Sequence, residues 1–311
     1  MKYIRPKYIL LVLAACIVLV ALAALFAPPG WRACISNKVS PLYLKYCVNI
    51  PGGDDMRRFY QNDGYASPNA YIAHGGSINR FVYNNSIEAA HDSIAQGFRF
   101  IEFDLLVTSD GHLVGGHSWE DFRKLAHLPV EEKPLSLAEV VESSRPGEFS
   151  PMTAKDICKL LEENPELIVV TDKIEDYELL LTEIPYPDRL IVEVVGNAFS
   201  YQKAIKAGVR YPALSVHNSN QMKLARDCGI PLVVLSNENF FDDPVGVELM
   251  KEMHGMGITI LLYDRYADAP EIILGHLGRS FSMIYTDTWS PKHLPKSTSS
   301  SESSQMPQQA I

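Results

Sequence analysis

The sequence predicts an α/β fold, a (β/α)8 TIM barrel preceded by an N-terminal transmembrane helix. Three observations carry this expectation. From Asn69 to Pro291, short apolar runs rich in β-branched and aromatic residues alternate with longer helical stretches, the beat of parallel strands joined by helical crossovers. That segment is about 220 residues long, a usual size for one such barrel. Ahead of it, Ile9 to Phe26 is an unbroken apolar run long enough to span a bilayer.

The ends come first. Lys2, Arg5 and Lys7 precede the apolar run, so the positive-inside rule puts the short N-terminus in the cytoplasm and the rest outside. A cleaved signal peptide is the rival, but the run is long for one, and Leu25-Phe26-Ala27 is a poor cleavage site. Leu13-Ala14-Ala15-Cys16 mimics a lipoprotein box, yet more apolar residues follow it. The expected division is a tip and anchor over residues 1–28, a Pro/Gly-punctuated stalk or collar over 29–68, the barrel over 69–291, and a Ser/Gln/Pro-rich disordered tail over 292–311.

Within the barrel segment the strand candidates are Ala70 to His74, Arg99 to Leu105, His112 to His117, Glu166 to Asp172, Arg189 to Val195, Ala213 to His217, Pro231 to Ser236, Ile258 to Tyr263 and Met283 to Asp287. Helices are expected over Ser86 to Gln96, Ser136 to Ser144, Thr153 to Asn164, Asp176 to Thr182, Ser200 to Ala207, Ser219 to Cys228, Gly246 to His254 and Pro270 to Leu277. Gly97, Gly208, Gly229 and Gly257 stand where helix C-caps should, just before the next strand. Nine strands are one too many for the ring. The connection Thr108 to Gly111 is too short for a parallel crossover, which makes this joint the weakest in the architecture.

Composition excludes some partners. A formal net charge of −9 with no basic stripe argues against nucleic acid. Of the 5 cysteines, Cys16 lies in the anchor, Cys158 and Cys228 read as buried helical thiols, and Cys34 and Cys47 could pair in an oxidising compartment.

The chemistry gathers around residues 98–119. Glu102 and Asp104 are two apart on a strand, so both face one way, among Phe100, Ile101, Phe103 and Leu105. Two like charges in an apolar setting repel and are costly to desolvate; a divalent cation between them would remove that cost. The rival reading has one acid facing solvent and the other paired with a base. Two histidines end neighbouring strands, His74 upstream and His117 downstream. Imidazole titrates near neutral pH, so one ring can remove a proton from a nucleophilic hydroxyl while the other protonates the leaving oxygen. In a parallel barrel the site collects at the C-terminal strand ends, which also makes Asp172, Glu193, His217, Asp264 and Asp287 candidates.

Taken together, His74-Gly75-Gly76, Asn84-Asn85-Ser86, Glu102-Phe103-Asp104, Thr108-Ser109-Asp110-Gly111 and His117-Ser118 resemble, in order and spacing, the glycerophosphodiester phosphodiesterase family, within the phosphatidylinositol-specific phospholipase C-like barrels. The resemblance implies His74 and His117 as the acid–base pair, without saying which is which. It also implies a third metal ligand on the strand that ends in Asp172. The family has Glu-x-Lys there and this chain has Thr171-Asp172-Lys173, so either Asp172 is the ligand or Lys173 is in register and Thr171 replaces it. Charge favours Asp172, with Lys173 as a nearby phosphate contact.

Asn85 could contact the substrate, or cap a helix with Glu88 at N3. Glu193, His217 and Asp287 could line the pocket. Trp119 and Trp289 could form an apolar wall, or belong to the core or rim. Three positions depart from the family pattern: Gly75 replaces a phosphate-binding Arg, Ser118 an Asp and Asn84 a Glu. Losing the Arg removes a bidentate clamp, and Lys173, Arg80 and Arg265 are the candidates to compensate.

The expected function is a membrane-anchored, extracytoplasmic phosphodiester hydrolase using one divalent cation, Ca²⁺ or Mg²⁺. Its substrate would be a glycerophosphodiester, lipid headgroup or related surface phosphodiester. The alternative is a non-catalytic module that binds headgroups or glycans. A metal-free glycoside hydrolase is a weaker third, because Glu102 and Asp104 sit side by side on one strand face rather than flanking a bond.

Overall fold

A computed structural model describes residues 65–295, apart from 79–80, 82, 196–197, 237–240, 242 and 264–268. The anchor, the Cys34–Cys47 pairing, nearly all of the stalk and the tail beyond residue 295 lie outside the described residues, as do Arg80, Asp264 and Arg265. Among the described residues no helix is long and apolar enough to cross a membrane.

Nine strands form: β1 (Tyr71–Ala73), β2 (Phe100–Val107), β3 (Leu113–Gly115), β4 (Ile168–Asp172), β5 (Leu190–Val194), β6 (Tyr211–Val216), β7 (Leu232–Ser236), β8 (Thr259–Tyr263) and β9 (Met283–Thr286). Eight of them are parallel. They run in the order β1-β2-β4-β5-β6-β7-β8-β9 and close through β9–β1 pairing, with Ile72 opposite Tyr285. The ninth, β3, resolves the surplus. It pairs antiparallel to β2, Leu105 opposite Gly115 and Val107 opposite Leu113, because a four-residue turn can reverse a chain but cannot carry a crossover.

The helices are α1 (Ile87–Ala95), α2 (Trp119–Leu125), α3 (Leu137–Glu142), α4 (Ala154–Glu163), α5 (Tyr177–Glu183), α6 (Ala198–Ala207), α7 (Ser219–Cys228), α8 (Pro244–Gly255) and α9 (Pro270–His276). Side chains start them as the sequence expects. Ser136 with Glu139, and Thr153 with Asp156, form capping boxes on α3 and α4. The four cap glycines all take positive φ, and at Gly229 a left-handed residue ends α7. Cys158 and Cys228 stand outside any disulfide and are half-buried rather than fully buried. The first residues of the expected tail are held, since Lys292 Nζ donates to the Ala95 carbonyl at 2.6 Å.

Two cores result. Alternate residues of the ring point inward, and Ile72, Phe100, Ile168, Val170, Ile191, Leu232, Leu261 and Met283 fill the barrel. Truncating one of these to Ala costs about 2–5 kcal/mol. The second core belongs to the segment between β3 and α4, where Val114, Trp119, Phe122, Leu135, Val140 and Phe149 cluster. Helix α2 is absent from the sequence expectation. It has seven residues, too few for a periodicity, but Ser118 at its N-cap, Glu120 and Asp121 in the first turn and Arg123 and Lys124 in the last are its signature.

Candidate active site

The inward parity that fills the barrel also builds the site. On each of several strands, the inward residues are apolar low down and polar at the C-terminal end. Glu102 and Asp104 follow Phe100, Asp172 follows Val170, Glu193 follows Ile191, and Tyr285 follows Met283. Together with His74, Tyr83, His117, Asp121, Lys173, Val234, Ser236 and Tyr263 they line a cavity of about 500 Å³.

Glu102, Asp104 and Asp172 each offer an oxygen within 4.8 Å of the others. Strand register explains the meeting, for Asp104 lies directly opposite Asp172 on β2 and β4. Glu102 and Asp104 are buried and Asp172 is half-buried, with its Oδ1 buried and without a hydrogen-bond partner. Burial, then the charges of Asp104 and Asp172, push Glu102 well above the usual carboxylate range. Burial and Asp104 push Asp172 up to about 8. For Asp104, burial is outweighed by Lys173 and by the hydrogen bonds of Lys173 and Asn85, and its pKa is lowered. An orphaned buried oxygen among clustered carboxylates suits a hard divalent cation, which prefers such oxygens and offsets their repulsion.

The register question over Thr171-Asp172-Lys173 has a backbone answer. Lys173 takes φ 60°, so it leaves the strand geometry and turns toward the same cavity as Asp172. Its Nζ reaches Asp104 Oδ1 at 2.8 Å and donates to the His117 carbonyl at 3.2 Å. Thr171 is buried on the other parity and does not line the cavity.

Each histidine is held at Nδ1 by a carboxylate. His74 meets Asp287 Oδ1 at 3.0 Å and His117 meets Asp121 Oδ2 at 3.2 Å. With Nδ1 committed in this way, Nε2 is the nitrogen left for chemistry. Asp121 is itself gripped by Ser118, whose hydroxyl donates to Oδ2 at 2.7 Å and accepts the Asp121 N–H at 3.0 Å. That Ser118 hydrogen bond is the main cause holding Asp121 below its usual range.

Several expectations change. Asn85 is fully buried and faces Asp104 rather than the cavity: its Nδ2 donates to Asp104 Oδ2 at 2.9 Å and its Oδ1 accepts the Asp104 N–H at 3.0 Å. It is not the cap of α1 either. Ser86 is, accepting from the Ala89 N–H, while Glu88 instead accepts from Gly147 and Ser150. Trp119 is buried in the second core, 5.5 Å from Phe122 between ring centroids, and does not line the cavity. His217 is exposed, with Nδ1 on the Ser236 carbonyl, and also stays outside it. Trp289 is likewise not a lining residue. Glu193 does line it, accepts a hydrogen bond from the Tyr285 hydroxyl, and is pushed up to about 7 by burial.

Six lining residues are not site candidates in the sequence, among them Asp121, Tyr263 and Tyr83. Asp121 was findable, four residues after His117 on a helix. Tyr263 was findable too, at a strand end in the parity of Leu261. Tyr83 had no local signal, for it reaches the site from an irregular segment, stacking edge-on to His74 at 4.3 Å and lying 6.2 Å from His117 between ring centroids.

The comparisons with known proteins agree with this geometry. No curated protein matches the chain. Among solved structures, a glycerophosphodiester phosphodiesterase from Thermotoga maritima superposes with a TM-score of 0.54 at 19% identity, over 70% of this chain and 93% of that one. One from Parabacteroides distasonis gives 0.54 at 16% identity, over 77% and 89%. An Oleispira antarctica phosphodiesterase, solved with its product sn-glycerol-3-phosphate, gives 0.53 at 16% identity, over 70% and 92%. These likenesses establish the shared fold. Residues 73–184, which carry both histidines and the three clustered carboxylates, match the model of the Glycerophosphoryl diester phosphodiesterase family.

Proposed function

We propose that this protein is a metal-dependent phosphodiester hydrolase acting on a glycerophosphodiester, a lipid headgroup or a related surface phosphodiester. One observation carries the reading: two carboxylate-held histidines border a cavity in which Glu102, Asp104 and Asp172 come within one ion's reach. The family match, and the product-bound phosphodiesterase among the structural neighbours, support the same chemistry.

In this mechanism Glu102, Asp104 and Asp172 hold the divalent ion, Ca²⁺ or Mg²⁺. When bound, the ion supplies electrostatic stabilisation for the charge that develops on the phosphoryl oxygens. Asn85 fixes the Asp104 carboxylate, and Gly75 donates its N–H to Glu102 Oε2 at 2.7 Å, so two of the ligands are oriented in advance. One imidazole removes the proton of the attacking hydroxyl, either a neighbouring group on the substrate or water. The other protonates the leaving oxygen. Asp287 and Asp121 keep both rings turned so that Nε2 faces the reaction. Lys173, which lines the cavity, would offer a cation to the phosphoryl group.

The apolar run Ile9 to Phe26, with cations before it, supports an anchored protein whose barrel lies outside the cytoplasm. Protease protection of a C-terminal tag in intact cells would contradict that placement.

The deciding experiment is hydrolysis of glycerophosphocholine and bis-p-nitrophenyl phosphate with EDTA and with Ca²⁺ or Mg²⁺ restored. His74→Ala and His117→Ala should each lower kcat by about 10²–10⁴. Turnover indifferent to EDTA and to both substitutions would overturn the mechanism. A protein that binds metal but turns over no diester would instead be a headgroup-binding module.

A further inference from the structure

Among the described residues, Lys173 is the one Lys or Arg lining the cavity, and its ammonium is already engaged by Asp104 and the His117 carbonyl. Among those residues, an anionic phosphodiester therefore meets few Lys or Arg donors. The cavity is also lined by three phenols; the Tyr285 hydroxyl is used on Glu193, while those of Tyr83 and Tyr263 stand 3.1 Å apart. The pair carries two protons and the bond between them uses one. The second has no acceptor among the described residues, and both side chains line the cavity.

The place is made for Tyr83 at some cost. Residue 75 takes φ 56°, and a Cβ there would stand 2.6 Å from the Tyr83 Cα, so a side chain at position 75 and this course of the Tyr83 backbone exclude each other. Tyr83 itself holds φ 54°, a strained conformation for a bulky residue. Its ring then lies between the two histidines. A phenol paired only for packing would not need a strained backbone, a mandatory glycine opposite it and a proton left facing the cavity.

We propose that the Tyr83–Tyr263 hydroxyl pair is a substrate-recognition element that donates a hydrogen bond to a phosphoryl oxygen, a neutral donor where position 75 can hold no cation. The inference rests on the phosphodiester reading of this cavity. It concerns binding, however, and is tested by binding.

The test is calorimetric titration of the full-length, metal-loaded protein with inorganic phosphate and with glycerol 3-phosphate. Wild type is compared with Tyr83→Phe, Tyr263→Phe and the double variant, each of which keeps the rings that pack on His74. Each single variant should bind both ligands about five- to tenfold more weakly, the size of one neutral hydrogen bond. The double variant should lose less than the product of the two, because the hydroxyls act as a unit. Unchanged affinities would overturn the proposal. Weaker glycerol 3-phosphate binding with phosphate unaffected would also overturn it, by moving the contact to the alcohol portion. A wild type that turns over no diester, but whose phosphate affinity depends on both hydroxyls, would leave the pair standing and sink the hydrolase. Hydrolysis with phosphate affinity indifferent to both hydroxyls would do the reverse, and a wild type that binds neither ligand would sink both.

Discussion

Gly75 and Asn85 show how single residues shape the site from outside it. A Cβ at position 75 would meet backbone, the Tyr83 Cα, which no rotamer change can move aside. Gly75→Ala should therefore cost the left-handed penalty of about 1–2 kcal/mol and displace Tyr83 as well. Urea unfolding would read the first and phosphate affinity the second; a variant matching wild type in both would remove the argument. Asn85 uses both ends of its amide on Asp104. Asn85→Ala leaves the buried Asp104 N–H and Oδ2 without these partners, costing about 1–3 kcal/mol. Because Asp104 is in the ligand cluster, divalent-ion affinity should fall about 10–100-fold, as it does when an outer-shell partner is lost. Isothermal titration with Ca²⁺ or Mg²⁺ measures this directly, and unchanged affinity would mean Asp104 holds its place without help.

At the scale of elements, the β2–β3 hairpin and α2 decide where His117 stands. Gly116 N–H bonds the Asp104 carbonyl at 2.9 Å, and Ser118 starts α2 and grips Asp121, so one serine both caps a helix and steadies the carboxylate behind His117. Ser118→Ala should lose about 1 kcal/mol of stability as the cap goes. It should also lower kcat by releasing Asp121. Ser118→Asp, the residue that the family carries here, caps as well as serine, so its stability should match wild type within about 0.5 kcal/mol. Equal melting temperatures for Ala and wild type would contradict the capping role. Among the described residues, all nine strands and eight of the nine α-helices were legible, because each is a run whose period and punctuation are local. The exceptions are non-local. The direction of β3 depended on what a four-residue turn can do, α2 was too short to show a period, and Trp119 faces a second core that no pattern announced. Likewise Glu102 and Asp104 were readable from parity and Asp172 and both histidines from strand ends, while Lys173 entered only through the family resemblance. Tyr83 was not, since its hydroxyl partner is 180 residues away.

Closing the barrel brings acids from β2, β4 and β5 to one end of a single cylinder, and that sets a pH dependence for the whole molecule. Glu102 is raised well above the usual range, mainly by burial, and Asp172 is raised to about 8, while an unfolded carboxylate titrates near 4. In the metal-free protein these two groups hold protons that the unfolded chain has released. Their contribution to stability is fully present below about pH 4 and is lost as pH rises through about 8. A bound divalent ion reverses the sense, because its ligands must be deprotonated. At a fixed concentration, Ca²⁺ or Mg²⁺ should therefore stabilise the fold more at about pH 8.5 than at about pH 5.5. An ion at about a hundred times its Kd contributes about 2.7 kcal/mol, large enough to see as a shift in Tm. Thermal melts with and without EDTA at the two pH values make the comparison. The shift should shrink toward the acid side and should be abolished in Asp104→Asn at both. A shift equal at both pH values would place the ion elsewhere on this acidic protein, away from the carboxylates that the strand register brings together.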